Sequence, residues 1–332
     1  MVTRRLGAAG PELSVLGIGT WAMSGQYQFG WGPVDDEESV AAIRAAVERG
    51  INWVDSAALY GFGHAETIVG RALEPFRPGE DVYVFTKCGR RWERGRDGVR
   101  IRYDLRPESI RAECEDSLRR LGVERIDLYQ FHWPDYGTGT PVEESWAAMA
   151  ELADEGKIRW CGACNFSLDL LERCEGIRHV DSLQPRLNLL DRHAFGELIP
   201  WCREHETGVI VYSPLGSGLL SGRFDIARLA EDDWRRRAPY FQEPQLGRNL
   251  ALVERLRRLA DRHGVPFASL AVAWTLSVPG VTGAIVGARR PSQVEEWLPA
   301  ASLELEPEDL AEIAAALAET GADIGPPVPP PP

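Results

Sequence analysis

Short apolar runs alternate with longer amphipathic segments along most of the chain. The runs at 16–18, 52–55, 82–87, 126–130, 158–162, 181–184, 209–212 and 284–286 read as buried strands. Eight such strands are the number that closes a parallel barrel. Between the first two, 36–48 sets Val40, Ile43, Ala46 and Val47 at helical spacing, behind an acidic first turn and ahead of Gly50. The 107–121 segment starts on Pro107, aligns Ile110, Cys114, Leu118 and Leu121 on one stripe, and stops at Gly122. Further helices are expected over 143–155, 194–206, 249–263, 267–276, 291–298 and 308–319. The alternation predicts an α/β chain forming a single (β/α)8 TIM barrel.

Two ends and two insertions depart from this rhythm. Residues 3–15, with Gly7, Gly10 and Pro11, read as an N-terminal β-hairpin that closes the bottom of the barrel. Residues 326–332 are almost all proline and read as a flexible C-terminal tail, which leaves 1–325 as the barrel domain. The stretches 90–105 and 222–247 read as long loops, and loops of that size usually line or close a ligand site. The second is expected to fold across a bound cofactor; a static surface insertion is the alternative.

Composition narrows the class. In 332 residues, 44% hydrophobic, no apolar run is long enough to span a bilayer and no secretory leader opens the chain, so a cytoplasmic protein is expected. A net charge of -13 argues against nucleic-acid or membrane partners and leaves a small molecule as the expected partner. Oligomeric state is not legible. The six cysteines include a Cys161-Gly-Ala-Cys164 spacing, but without a second thiol pair it reads as ordinary reduced cysteine, and no metal site is expected. Only Lys87 and Lys157 are lysines among 37 basic residues, so a lysine here marks a need for a compact ammonium.

The loops leaving a closed barrel's strand ends converge on one face. Asp55 ends the second run, Tyr60 follows it, Lys87 ends the third and His132 follows the fourth. Singly, Asp55, Tyr60 and His132 each read as a cap or loop contact and Lys87 as a satisfied ion pair. Together they make a proton-transfer device: Tyr60 as acid, Lys87 favouring its tyrosinate and lowering its pKa, Asp55 holding the ammonium, and His132 orienting a carbonyl oxygen. None of the four supplies a hydride, so a cofactor is required. Gly17-Ile-Gly19 is only a fragment of a dinucleotide-binding glycine motif, so the cofactor is expected on the barrel rim. Trp21, Tyr27, Phe29, Trp31 and Trp133 are candidate walls of a substrate pocket.

These residues resemble the aldo-keto reductase family in Val54-Asp-Ser-Ala-Ala-Leu-Tyr-Gly61, Phe85-Thr-Lys87, Leu128-Tyr-Gln-Phe-His-Trp-Pro-Asp135, Gly162-Ala-Cys-Asn-Phe166 and Tyr212-Ser-Pro-Leu-Gly216. The resemblance implies reduction of aldehydes or ketones by a nicotinamide dinucleotide laid over the barrel's C-terminal face, with the four roles above. It also implies that Asn165 and Gln184 bind the carboxamide, beside Cys164 where the family usually has serine, and that Tyr212 stacks on the ring. Ser213, Leu215, Gly216 and Ser217 would cradle the pyrophosphate. Arg289, with Gln293 and Glu296 nearby, would meet a 2′-phosphate, so NADPH is the expected cofactor and NADH remains open. Trp297 replaces a common family asparagine. Three rival readings use the same chain: a dehydrogenase running mainly from alcohol to carbonyl, a cofactor-binding regulatory or redox-sensing barrel with little turnover, and a metal-dependent hydrolase, which the scattered histidines disfavour.

Overall fold

The computed structural model describes residues 1–27, 29–95 and 98–322. The proline tail at 326–332 lies outside the described residues. Among them the strands are β1 (Thr3–Arg5), β2 (Glu12–Ser14), β3 (Leu16–Gly19), β4 (Trp53–Asp55), β5 (Tyr83–Cys88), β6 (Arg90–Gly95), β7 (Gly98–Tyr103), β8 (Ile126–Phe131), β9 (Ile158–Cys164), β10 (Ser182–Gln184), β11 (Gly208–Tyr212) and β12 (Val281–Gly287). The helices are α1 (Asp36–Glu48), α2 (His64–Leu73), α3 (Pro107–Leu121), α4 (Val142–Asp154), α5 (Leu168–Glu175), α6 (Leu198–Glu204), α7 (Gln245–His263), α8 (Phe267–Leu276), α9 (Pro291–Trp297) and α10 (Pro307–Thr320).

β3, β4, β5, β8, β9, β10, β11 and β12 are all parallel to their neighbours and close into a barrel, with β12 against β3. This is the expected (β/α)8 architecture. β1 and β2 pair antiparallel, and Arg4 ties the hairpin to the bottom of the barrel through the carbonyls of Leu276 (2.9 Å) and Val281 (2.7 Å). Among the described residues no helix is long and apolar enough to cross a membrane.

Side chains along a strand alternate between the two faces, and this alternation positions the chemistry. Trp53, Phe85, Leu128, Ile210 and Ile285 pack with Leu6 and Leu13 of the hairpin as one fully or nearly buried cluster, separate from the larger core that includes residues of both strands and helices. Two residues on from Trp53, Phe85 and Leu128 stand Asp55, Lys87 and Gln130, one layer nearer the C-terminal rim. The room for Trp53 comes from Gly17: a Cβ there would lie 2.3 Å from the indole. The Gly17-Ile-Gly19 fragment therefore serves barrel packing.

Several boundaries differ from expectation. The 90–105 stretch is not an irregular loop; β6 and β7 form an antiparallel hairpin, because Trp92, Val99 and Ile101 alternate with polar residues and Gly98 adopts a left-handed φ of +112° at its tip. Helices α2 and α5, of 10 and 8 residues, were not anticipated, being short. The 194–206 helix is instead a 3-10 turn over His193–Phe195 followed by the shorter α6, with Pro200 in its first turn. The 222–247 stretch is a strap of short 3-10 turns leading into α7.

Candidate active site

At the C-terminal mouth the inward alternation delivers one buried polar layer. Lys87 Nζ donates to Asp55 Oδ1 at 2.5 Å and to the Ser56 carbonyl at 2.8 Å, and the two charged side chains are 1% and 3% exposed. Asp55 Oδ2 accepts from Gln184 Nε2 at 2.9 Å and from Gln130 Nε2 at 3.5 Å. Gln184 also donates to Gln130 Oε1 (3.3 Å) and accepts from the Cys164 thiol (3.7 Å). The register carries this layer around the wall: Lys87 opposes Gln130, Gln130 opposes Gly162, and Cys164 opposes Gln184. Gln130 had escaped the sequence reading, because a glutamine inside an apolar strand carries no motif.

Above the layer lies a cleft of about 480 Å³. Tyr60 and His132 line it, their rings edge-on at 82° with centroids 5.6 Å apart, and Lys87 Nζ sits 5.3 Å from the Tyr60 centroid. The Tyr60 hydroxyl has no hydrogen-bond partner among the described residues. Burial, then the Asp55 charge, holds the Tyr60 pKa well above its ordinary value. The expected lowering is thus not what the surroundings produce, since Lys87 is already matched by Asp55. Burial, then the charges of Lys87 and Arg90, holds His132 well below the usual imidazole range, so it is neutral at pH 7. Its Nδ1 is buried without a partner among the described residues.

Trp21, Tyr27, Phe29, Trp133, Cys164, Asn165, Gln184, Tyr212, Ser213, Gly216 and Ser217 all reach the same cleft. Asn165 donates to the His132 carbonyl (3.0 Å) and to Cys164 Sγ (3.1 Å) and accepts from the Tyr212 hydroxyl (2.7 Å). Asn165 and Ser213, just past the ends of β9 and β11, hold positive φ of 61° and 57°. Strained backbone of this kind concentrates at functional sites. Past Ser213 the chain takes left-handed φ again at Gly216, Ser217 and Gly218, a nest of the sort that presents amides to anions.

Besides Asp55 and Lys87 in the layer beneath, five expected residues lie outside the cleft lining. Leu215 belongs to the nest turn, its carbonyl accepting from Gly218 and Leu220. Trp31 stands behind Trp21, centroids 5.4 Å apart, with the Arg235 guanidinium 4.4 Å from its own ring centroid. Gln293 accepts from the Arg289 amide at 2.7 Å, and Glu296 is committed to Arg223 at 2.7 Å. Arg289 donates to the Trp31 carbonyl (3.3 Å) and makes no ion pair among the described residues. Burial and the nearby charges of Arg290 and Arg235 lower its pKa. Trp297, which stands where the family commonly has asparagine, is 2% exposed and packed in the core.

The sequence reading had missed Arg90, Tyr103, Arg186, Asn188, Trp234 and Tyr240, which also line the cleft. The first two come from the unforeseen hairpin. Trp234 and Tyr240 come from the strap, which is docked across the rim with Trp234 5.7 Å from Trp21 and 6.2 Å from Trp31. All six cysteines are free and buried, and among the described residues no group of histidines, cysteines and carboxylates could hold a metal ion.

The donor set suits an extended, anionic dinucleotide: amide groups at Asn165 and Gln184, an aromatic ring at Tyr212, an amide nest, and an unpaired guanidinium at Arg289. The aldo/keto reductase family model matches residues 15–318. An aldo-keto reductase of Bacillus subtilis (strain 168) is 36% identical over 320 residues, 96% of this chain and 94% of the relative. The NADH-specific methylglyoxal reductase of Escherichia coli (strain K12) is 37% identical over 312 residues, 92% of this chain and 94% of the relative. The solved glycerol dehydrogenase of Gluconobacter oxydans has a TM-score of 0.87 at 36% identity, over 98% of each chain. Likeness of this extent over a barrel with this polar mouth means that the chain belongs to the aldo/keto reductase family, oxidoreductases that act on carbonyl compounds with nicotinamide cofactors.

Proposed function

We propose that the chain reduces a small aldehyde or ketone to the alcohol, with Tyr60 as general acid and NADPH as the preferred cofactor. The observation that carries this reading is the unpartnered Tyr60 hydroxyl, kept protonated beside neutral His132 and above the buried Lys87–Asp55 pair. The bound reduced nicotinamide would supply the hydride. His132 donates a hydrogen bond to the carbonyl oxygen and fixes its direction. Tyr60 delivers its proton to that oxygen as negative charge develops there. Two of the three Lys87 protons are committed to Asp55 and Ser56, which leaves one to stabilise the phenolate. Asp55 keeps the ammonium in place.

Asn165 and Gln184 would hold the carboxamide, Gln184 through the lone pair of Oε1 that Cys164 does not use. Cys164, a weaker hydrogen-bonding group than serine, makes this grip looser. Tyr212 would stack on the ring, and Ser213, Leu215, Gly216 and Ser217 would cradle the pyrophosphate. Arg289 favours NADPH because it is an unpaired guanidinium beside two like charges, a setting that gains from a phosphate. Gln293 fixes the backbone of Arg289, and Glu296 acts one step further out through Arg223. Buried free thiols suit a reducing compartment, so the cytoplasm completes this reading.

Cofactor oxidation against a panel of aldehydes and ketones tests it. Tyr60→Phe is expected to lower kcat by roughly 10²–10⁴-fold while the cofactor still binds; wild-type turnover in that variant would remove Tyr60 from its role. Arg289→Gln is expected to raise the Kd for NADPH about 10- to 100-fold more than that for NADH. Equal effects on the two cofactors would refute the preference.

A further inference from the structure

The cleft is positive in an acidic protein. The chain carries a net charge of -13, yet the described lining includes Arg90 and Arg186 and no aspartate or glutamate. Asp55, just beneath, is matched by Lys87. Arg186 has a carboxylate in reach, Asp191 at 3.9 Å. Arg90 has none.

Arg90 is the first residue of β6, and its guanidinium lies 4.1 Å from the centroid of Tyr103, its partner across the hairpin. None of its side-chain N–H groups meets an acceptor among the described residues, and Nε is fully buried without one. Its neighbours on the hairpin are paired: Arg91 with Asp116 at 4.0 Å and Arg102 with Glu93 at 2.7 Å. A half-buried guanidinium with a buried N–H left without an acceptor is costly, and the cost is relieved when an anion binds. The charge of Arg90 is felt at both Tyr27 and His132, so it serves the part of the cleft that receives the carbonyl.

We infer that Arg90 is a specificity determinant that binds an anionic group, carboxylate or phosphate, carried by the carbonyl substrate. This rests on the carbonyl-reductase reading above and adds the substrate class to it. The planar fork of a guanidinium matches either anion through two hydrogen bonds. Tyr103 orders the fork by stacking, and Trp21, Tyr27 and Trp133 provide an apolar wall for the carbon skeleton.

Matched substrate pairs test the inference: para-carboxybenzaldehyde against its methyl ester, and a phosphorylated aldotriose against the free aldotriose. Wild type is expected to favour the anionic member of at least one pair by roughly 10- to 100-fold in kcat/KM, mostly through KM. The pair that shows the preference identifies the anion. Arg90→Met should abolish that ratio, and Arg90→Lys should keep part of it. Binding gives a second readout independent of turnover: benzoate should quench the cleft tryptophans at lower concentration than benzamide, and Arg90→Met should erase the difference. A wild-type enzyme that reduces the neutral members as well as the anionic ones overturns the inference and leaves the reductase reading intact. An anion preference that survives in Arg90→Met overturns it too. Arg90-dependent benzoate binding without reduction of any pair would instead defeat the reductase reading and keep the anion site.

Discussion

Replacing Asp55 by asparagine preserves the shape of the side chain, removes its charge and turns one acceptor oxygen into a donor. Three donors converge on this carboxylate: Lys87 Nζ at 2.5 Å, Gln184 Nε2 at 2.9 Å and Gln130 Nε2 at 3.5 Å. An amide has one acceptor oxygen, so whichever way it turns, its NH2 faces at least one donor. At this separation and an effective dielectric constant of about 20, the gross attraction of the pair is on the order of 6 kcal/mol. Desolvation offsets part of that, and measured losses from breaking one side of a buried pair are about 3–5 kcal/mol. That is a large share of the roughly 5–15 kcal/mol by which proteins are stable. Urea unfolding of Asp55→Asn should therefore show a midpoint far below wild type. The double variant Asp55→Asn with Lys87→Met removes the stranded ammonium, so it should recover much of the stability while remaining impaired in turnover. An Asp55→Asn protein within 1 kcal/mol of wild type, on the scale of an exposed ion pair, would refute the reasoning. So would a double variant no more stable than the single one.

Two further outcomes are expected. Glu113, on α3, is 1% exposed, and burial pushes its pKa up to about 8, with Oε2 unpartnered and Oε1 accepting from the Gly89 amide at 3.2 Å. The folded protein thus keeps a proton that the unfolded chain has released, and the stability this contributes is full below its ordinary value of 4.5 and lost as pH rises through about 8. Compared with Glu113→Gln, wild type should lose on the order of 5 kcal/mol over that window in urea titrations, and parallel pH profiles would refute the assignment. Trp234→Ala removes the ring that docks the strap against Trp21 and Trp31, so amide exchange over 222–247 should accelerate about tenfold or more. In wild type, cofactor should slow that exchange; equal rates with and without it would argue against strap closure over the ligand.

Legibility in the sequence followed sequence distance. Asp55, Lys87 and His132 could be placed because each ends or follows a strand, and parallel strands in a barrel all point their C-terminal ends the same way. Tyr60 came with Asp55 on one turn. Gln130 could not be singled out, since its function depends on Asp55, 75 positions away. The hairpin of β6 and β7 was hidden by its arginines and glycines, which suggest a loop even though every second position suits a strand.

Local periodicity by itself determined the α/β alternation, the number of barrel strands and the layer on which Asp55 and Lys87 stand, because these depend only on which residues within a few positions are apolar. Barrel closure decided the rest. Among the described residues it withheld a partner from Arg90, docked Trp234 on Trp21, buried Trp297 in the core and committed Glu296 to Arg223. Each of these outcomes is a contact between segments remote in sequence, and no pattern in a linear chain records which of its distant charges and rings will meet.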